Sequence, residues 1–175
     1  MEKSLARKTG RARRSLISEE DRIRYDRILL EMMKERALHA GMIGCYVSVR
    51  DEADTHAFLK WCFASGRKTA VPLVKDGTLE FHEITSFSSL KEGTFGVMEP
   101  YEGRVVSPRE LDLMFVPLSA FDKNGNRTGY GKGYYDSVLL PSMHKAGVAY
   151  PEQRVDHIDA DPWDIRLDEV LVPEI

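Results

Sequence analysis

Residues 42–74 read "MIGCYVSVRDEADTHAFLKWCFASGRKTAVPLV", and the order of patterns in this stretch decides the fold. The apolar run MIGCYVSV, bounded by Gly41 and the charged segment RDEAD, has the pattern of a buried strand. EADTHAFLKWCFASG reads as an amphipathic helix with Phe58, Trp61 and Cys62 inward, ending at Gly66. TAVPLV (69–74) is a second buried strand. Strand, helix and strand of this length make a right-handed parallel crossover. DLMFVPL (112–118) has the same buried-strand character, and VKDGTLEFHEI (74–84) reads as a hairpin about Asp76-Gly77. VAY (148–150) and DEVLVP (168–173) are the last strand candidates. Upstream, Ser18 is an N-cap with Glu19, Glu20 and Asp21 in the first turn, and the helix runs through Ile23, Leu29, Leu30, Met33 and Leu38 to Gly41. The head, from Lys3, is a helix with Leu5, Thr9, Ala12 and Leu16 on an apolar side and Lys3, Arg7, Arg11 and Arg14 on the other, weakened somewhat by Gly10. GYYDSVLLPSMHKAG (133–147) is expected to begin a helix that Pro141 bends or ends. The expected architecture is one α/β domain over residues 1–175, a mainly parallel sheet flanked by helices in a Rossmann-like three-layer arrangement.

Composition sets the function classes. With 42% hydrophobic and 30% charged residues, the chain is an ordinary globular one, and no apolar run is long enough to span a bilayer. The net charge of −3 hides an asymmetry. Residues 1–18 hold six of the 25 lysines and arginines and one acid, leaving 19 basic against 27 acidic residues, a net −8, elsewhere. A basic head on an acidic body suits an anionic partner. It lacks the apolar core of a secretory signal, and it leads straight into a capped helix where a mitochondrial presequence would have a cleavage-like linker. Cys45 and Cys62 sit in apolar surroundings without a CxxC pair, which suits reduced core residues of a cytoplasmic protein. His56, His82, His144 and His157 show no metal spacing.

The chemistry concentrates in GYGKGYYD (129–136). Three glycines are costly as plain structure, since glycine loses the most backbone freedom on folding. They admit backbone N–H groups close to phosphate oxygens, Lys132 neutralises phosphate charge, and Asp136 is a candidate magnesium ligand. The run is not a Walker loop, because Asn126 stands at the first glycine position and Gly133 follows the lysine. Nor is it a dinucleotide fingerprint, since the third glycine comes one residue early and after a long loop. A glycine-rich helix cap is the plain structural alternative, although a cap needs one glycine.

FDKNGNRTGYGKGYYD (121–136) closely resembles the signature of the 5-formyltetrahydrofolate cyclo-ligase family. KSLAR (3–7), RDEADT (50–55), GTFGVMEP (93–100) and RLDEVLVP (166–173) resemble further segments of that family in the same order, so the likeness spans nearly the whole chain. The resemblance implies a fold of the sugar-phosphate isomerase and CoA-transferase kind. It also implies an ATP- and Mg²⁺-dependent ligase that closes 5-formyltetrahydrofolate to 5,10-methenyltetrahydrofolate, releasing ADP and phosphate. Carried across, Lys132, Arg127 and Tyr134 are the catalytic candidates. Lys3, Arg7, Arg127, Gly129, Tyr130, Gly131, Lys132, Gly133, Tyr134 and Tyr135 would hold ATP, although Tyr135 reads more as core than as site. Val47, Glu52, Phe95, Met98 and Tyr134 would hold the folate, and Asp136 and Asp168 the metal. Lys8, Arg11, Arg13 and Arg14 read as a solvated face. Leu118 stands where the family usually has glycine, and Tyr130 where some members have arginine. The expected partners are ATP and a reduced folate, with no nucleic acid or membrane, in a monomer or weak homodimer. The alternatives are a same-fold enzyme on a non-folate substrate, and a nucleic-acid-binding module using the basic head.

Overall fold

In the computed structural model, which describes residues 1–174, two helices precede the sheet: α1 (Lys3–Ser15) and α2 (Glu19–Ala37). The Ser18 side chain caps α2 by accepting from the Asp21 N–H at 3.1 Å, and three acids in its first turn face the positive end of the helix dipole. Strand β1 (Met42–Cys45) then runs parallel to β2 (Lys68–Lys75), with α3 (His56–Ala64) crossing between them. At the β2 end, Asp76 and Gly77 both take positive φ (52° and 76°), as a tight two-residue hairpin demands, and β3 (Thr78–Ile84) returns antiparallel. The remaining strands of the sheet are β4 (Arg104–Val106), β5 (Leu113–Val116), β6 (His144–Val148) and β7 (Glu169–Leu171). The order is β7-β6-β5-β1-β2-β3-β4, parallel from β7 to β2 and antiparallel beyond.

Strand alternation sorts the core. Ile43, Cys45, Leu113 and Phe115 face α2 and α3, where Phe58 meets Phe115 edge-on at 5.0 Å. Met42, Met114 and Val116 face the other way, against Val138, Leu139 and Met143. That second face is where the expectation fails. Residues 134–138 form consecutive turns and no helix, and strand β6 begins at His144, earlier than VAY suggested. Gly133 at φ 69° and Pro141 leave seven residues between them, too few to recover the cost of helix nucleation. Val138 and Leu139 N–H both donate to the Tyr135 carbonyl, closing a single turn.

The head is helical, but its faces are reversed from the expectation. Ala6, Gly10 and Arg14 are buried, while Leu5 and Leu16 are 52% and 84% exposed. The deciding residue is Gly10. A Cβ there would lie 1.9 Å from the Ser119 carbonyl oxygen and 2.9 Å from the Ala120 Cβ. Only a bare Cα lets α1 sit against this segment, so small residues, not large apolar ones, mark its buried stripe. Gly10→Ala is expected to destabilise the fold although it improves helix propensity by about 1 kcal/mol. A clash with backbone cannot be relieved by a rotamer, and overpacking of this kind costs roughly 1–3 kcal/mol. The net loss should appear as a melting temperature lower by a few degrees. An unchanged or raised Tm would show that α1 moves off freely.

Candidate active site

The site lies at the carboxyl ends of β1 and β5, where open α/β sheets bind ligands. Past Val116 the chain passes through Pro117 and Leu118 into a small antiparallel ribbon, Ala120–Phe121 paired with Arg127–Thr128, which delivers the glycine run. Asp122 fixes the ribbon's turn. Its carboxylate accepts from the N–H groups of Asn124 (2.9 Å), Asn126 (3.1 Å) and Ile158 (2.9 Å) and from Asn126 Nδ2 (3.1 Å). Burial works to raise the Asp122 carboxyl, yet these donors outweigh it and hold the group below its ordinary value. Sequence reasoning passed over Asp122, although an Asp two residues before an Asn in a turn is a readable Asx signal.

Two chambers open on either side of the run. The first, of about 530 Å³, is lined by Lys3, Arg7, Arg127, Asp136, Asp164 and residues 129–135, among others. The second, of about 440 Å³, is lined by Tyr46, Val47, Glu52, Phe95 and Pro72, among others. Pro117, Tyr130, Lys132, Tyr134 and Tyr135 line both, so the glycine run is the wall between them.

In the first chamber Arg127 is a deeply buried charge. Its side chain is 7% exposed, Nη2 donates to Asp136 Oδ1 at 3.2 Å, and Nε is buried without a partner. Burial pulls its pKa down, opposed by Asp136, Tyr135 and Asp164. A buried N–H left unpaired is costly and marks where an acceptor belongs. Arg7 Nε donates to the Gly129 carbonyl at 2.8 Å, and its guanidinium lies where a Gly131 Cβ would meet it at 3.3 Å. Gly131, at φ 85°, needs glycine's backbone freedom, and a side chain there would also press on the Arg7 guanidinium. Lys3 pairs with Asp161 Oδ2 (2.6 Å) and with Asp164. Burial would raise the Asp164 carboxyl, but the Lys3 hydrogen bond, the Asp161 N–H and the Lys3 and Arg127 charges hold it below its ordinary value.

The structure brings Asp136 and Asp164 to one chamber, and Ile165 N–H reaches Asp136 Oδ1 at 3.5 Å. Asp168 is not brought there. Its Oδ2 accepts from Lys145 N (2.7 Å) and faces Lys145 Nζ (3.2 Å) near the amino end of β6, so it holds β7 to β6. Among the described residues no group of three or more His, Cys, Asp or Glu forms a metal cage. Asp136 and Asp164, paired here with Arg127 and Lys3, still put two carboxylates on one chamber, a donor set that fits magnesium, which keeps waters and binds through one or two carboxylates plus phosphate oxygens.

In the second chamber Glu52 accepts from Val49 N–H (2.9 Å) and from the Tyr130 hydroxyl (2.8 Å). Burial raises the Glu52 carboxyl despite these bonds, and burial together with Glu52 pushes Tyr130 up to about 12. Phe95 stands 64% exposed at φ 58°, its carbonyl accepting from Arg50 Nη2 at 2.9 Å. Strain of this kind in a side-chain-bearing residue gathers at binding sites. Met98 does not face the chamber. It sits on a short strand, Met98–Pro100, where alternation turns it to the core while its neighbours Val97 and Glu99 line the cavity. Arg14, read as solvated, is buried between Asp51 Oδ1 (3.1 Å) and the Leu118 carbonyl (3.3 Å), completing the stripe that begins at Ala6. Leu118 is buried too, packed where a Gly147 Cβ would meet it at 2.8 Å, so a small residue on β6 accommodates the large one.

The family model described as "5-formyltetrahydrofolate cyclo-ligase family" matches residues 1–173. A 5-formyltetrahydrofolate cyclo-ligase of Haemophilus influenzae is 32% identical over 152 residues, covering 82% of this chain and 80% of that one. One of Mus musculus is 30% identical over 173 residues, covering 89% of this chain and 85% of its own. The solved structure of Aquifex aeolicus 5,10-methenyltetrahydrofolate synthetase superposes with a TM-score of 0.86 at 32% identity, covering 97% of this chain and 89% of the other. The fold, the order of the motifs and these likenesses agree: the chain belongs to the 5-formyltetrahydrofolate cyclo-ligase family.

Proposed function

We propose that the two chambers are the nucleotide and folate halves of one site, with the glycine run as the wall across which phosphoryl transfer takes place. The family's reaction is the ATP-dependent cyclisation of 5-formyltetrahydrofolate to 5,10-methenyltetrahydrofolate. The observation that carries the reading is the shared wall. Lys132 and Tyr134 border both cavities, so a γ-phosphate bound on one side abuts a formyl group bound on the other.

A formamide oxygen is a poor leaving group. In the proposed sequence it attacks the γ-phosphorus and the bond to the ADP oxygen breaks. The neighbouring folate N–H nitrogen then adds to the activated carbon and gives its proton to the departing phosphate or solvent, the carbon–oxygen bond breaks, and inorganic phosphate leaves. Such transfer asks for positioning and charge neutralisation rather than a protein nucleophile. Arg127 Nε, the 129–133 amides, Arg7 and Lys132 supply donors to the phosphate chain, and Lys3 is held nearby by Asp161 and Asp164. Asp136 and Asp164 would hold magnesium, which neutralises phosphate charge as it develops. Glu52, Val47, Phe95 and Tyr134 would hold the pterin, Glu52 accepting from its amino and ring N–H groups.

The test is direct. Purified protein with 5-formyltetrahydrofolate and Mg-ATP should develop the near-ultraviolet methenyl chromophore, and omitting nucleotide or divalent metal should abolish it. Full-rate product without ATP would sink the mechanism. A melting temperature raised by Mg-ATP but untouched by the folate would point to a different substrate in the second chamber.

A further inference from the structure

We propose that Trp163 is a stacking platform for the purine base of ATP in the nucleotide chamber, an inference that rests on the cyclo-ligase reading above. Trp163 lines this chamber and is 73% exposed. Exposure alone is ordinary for a single apolar residue. What sets Trp163 apart is how its backbone is held. Residues 161–164 form a turn with Pro162 at the second position, closed by Asp164 N–H to the Asp161 carbonyl (3.1 Å) and by Asp161 N–H to Asp164 Oδ2 (2.8 Å). Lys3 on α1 clamps the carboxylates of both Asp161 and Asp164. One step earlier, Asp159 N–H donates to the Met1 carbonyl at 2.8 Å, and the Met1 amino group reaches Asp159 Oδ1 at 3.3 Å. The turn is therefore tied to the head, and its indole is presented on an ordered backbone with little entropy left to lose on stacking.

The chamber also matches a nucleotide in polarity. Arg7, Arg127 and Lys132 give the lining its cations, and Ile158, Ala160, Ile165 and Trp163 itself give it apolar surface. A nucleotide has a charged end and a flat, weakly polar end, and the second suits an indole face. Among the described residues Trp163 joins none of the aromatic or cation–π pairs, so its faces are open.

Fluorescence tests this cleanly, because the chain has two tryptophans. The other, Trp61, lies outside both chambers, packed on Phe58 and under Arg67. In a Trp61→Phe protein, Mg-ATP should change the Trp163 emission saturably, whereas magnesium tripolyphosphate, which has no base, should bind without that change. Trp163→Ala should weaken ATP binding about tenfold, leave tripolyphosphate binding unchanged and keep kcat within about twofold, with Trp163→Phe recovering most of the loss. Equal weakening of ATP and tripolyphosphate, or no weakening of either, would overturn the stacking role. If the wild-type protein closes 5-formyltetrahydrofolate with ATP, that outcome removes the platform alone. If it neither binds ATP nor closes the folate, the underlying reading falls with it.

Discussion

Arg127→Met should lower kcat for methenyl formation by about a thousandfold while leaving the protein folded. The guanidinium is almost wholly buried, yet it has one charged partner, Asp136, and a buried Nε–H with none. That open donor lies on an arginine that lines the first chamber, where a phosphate oxygen would complete it. Burial pulls its pKa down, so the fold holds the positive charge at a cost that a bound phosphate would relieve. Charge development in phosphoryl transfer is what such a group stabilises, and arginines placed this way contribute about 10³–10⁵ in rate. Methionine fills similar volume without the charge, and replacing a buried ion by an apolar side chain is often neutral or stabilising. The one-third-exposed Asp136 can hydrate when its partner is lost. The expected pattern is therefore a large kcat loss with a Tm within a few degrees of wild type. Arg127→Lys should rescue little, because an ammonium lacks the planar fork that reaches Asp136 and a phosphate together. A kcat within threefold of wild type in Arg127→Met would reduce Arg127 to a strut of the ribbon.

The outcome also bears on what the sequence could reveal. Strand–helix–strand order was legible because a strand buried on both faces and a one-sided helix leave different periods, and residues 42–74 carry both without interruption. The hairpin at Asp76-Gly77 was legible because few sequences supply two successive positive φ angles. The buried side of α1 was not. There the contact is a close approach of backbones through Ala6 and Gly10, and hydropathy registers bulk, not the absence of it. The missing helix after the glycine run failed for a related reason. Its apolar residues Val138, Leu139 and Met143 are needed on the sheet, and tertiary packing places them there from turns as well as from a helix. At the site, the motifs located the loop that walls the two chambers but not the orientation of Met98, because strand alternation, not motif membership, decides which side chain faces a cavity.

The choice of metal carboxylates turns on the same distinction between adjacency in a motif and position in space. Asp168 and Asp164 lie four residues apart near the end of the chain, and only Asp164 shares a chamber with Asp136. Asp164→Asn should reduce kcat by about a hundredfold or more, with part of the loss recovered at high magnesium, since the charge that attracts the ion is gone while the side-chain shape remains. Asp136→Asn should behave alike in its magnesium response. It should also lower Tm, because it leaves the buried Arg127 without its charged partner. Asp168→Asn should do the opposite: kcat and its magnesium dependence stay at wild type, while the loss of the Lys145 contacts costs about 1 kcal/mol, discounted for a side chain that is nearly half exposed. The pH dependence separates the roles further. Because the folded Asp164 carboxyl lies below its ordinary value, its stabilising pairing with Lys3 is fully present above the unfolded pKa near 4 and is lost only as pH falls through the lower folded value. Asp164 is thus ionised and able to hold a cation throughout the neutral range, and no activity loss between pH 6 and 8 should trace to it. A magnesium response that appears in Asp168→Asn and is absent from Asp164→Asn would reverse the assignment. The ion would then sit near the amino end of β6, at the opposite end of the sheet from the chamber that the glycine run lines.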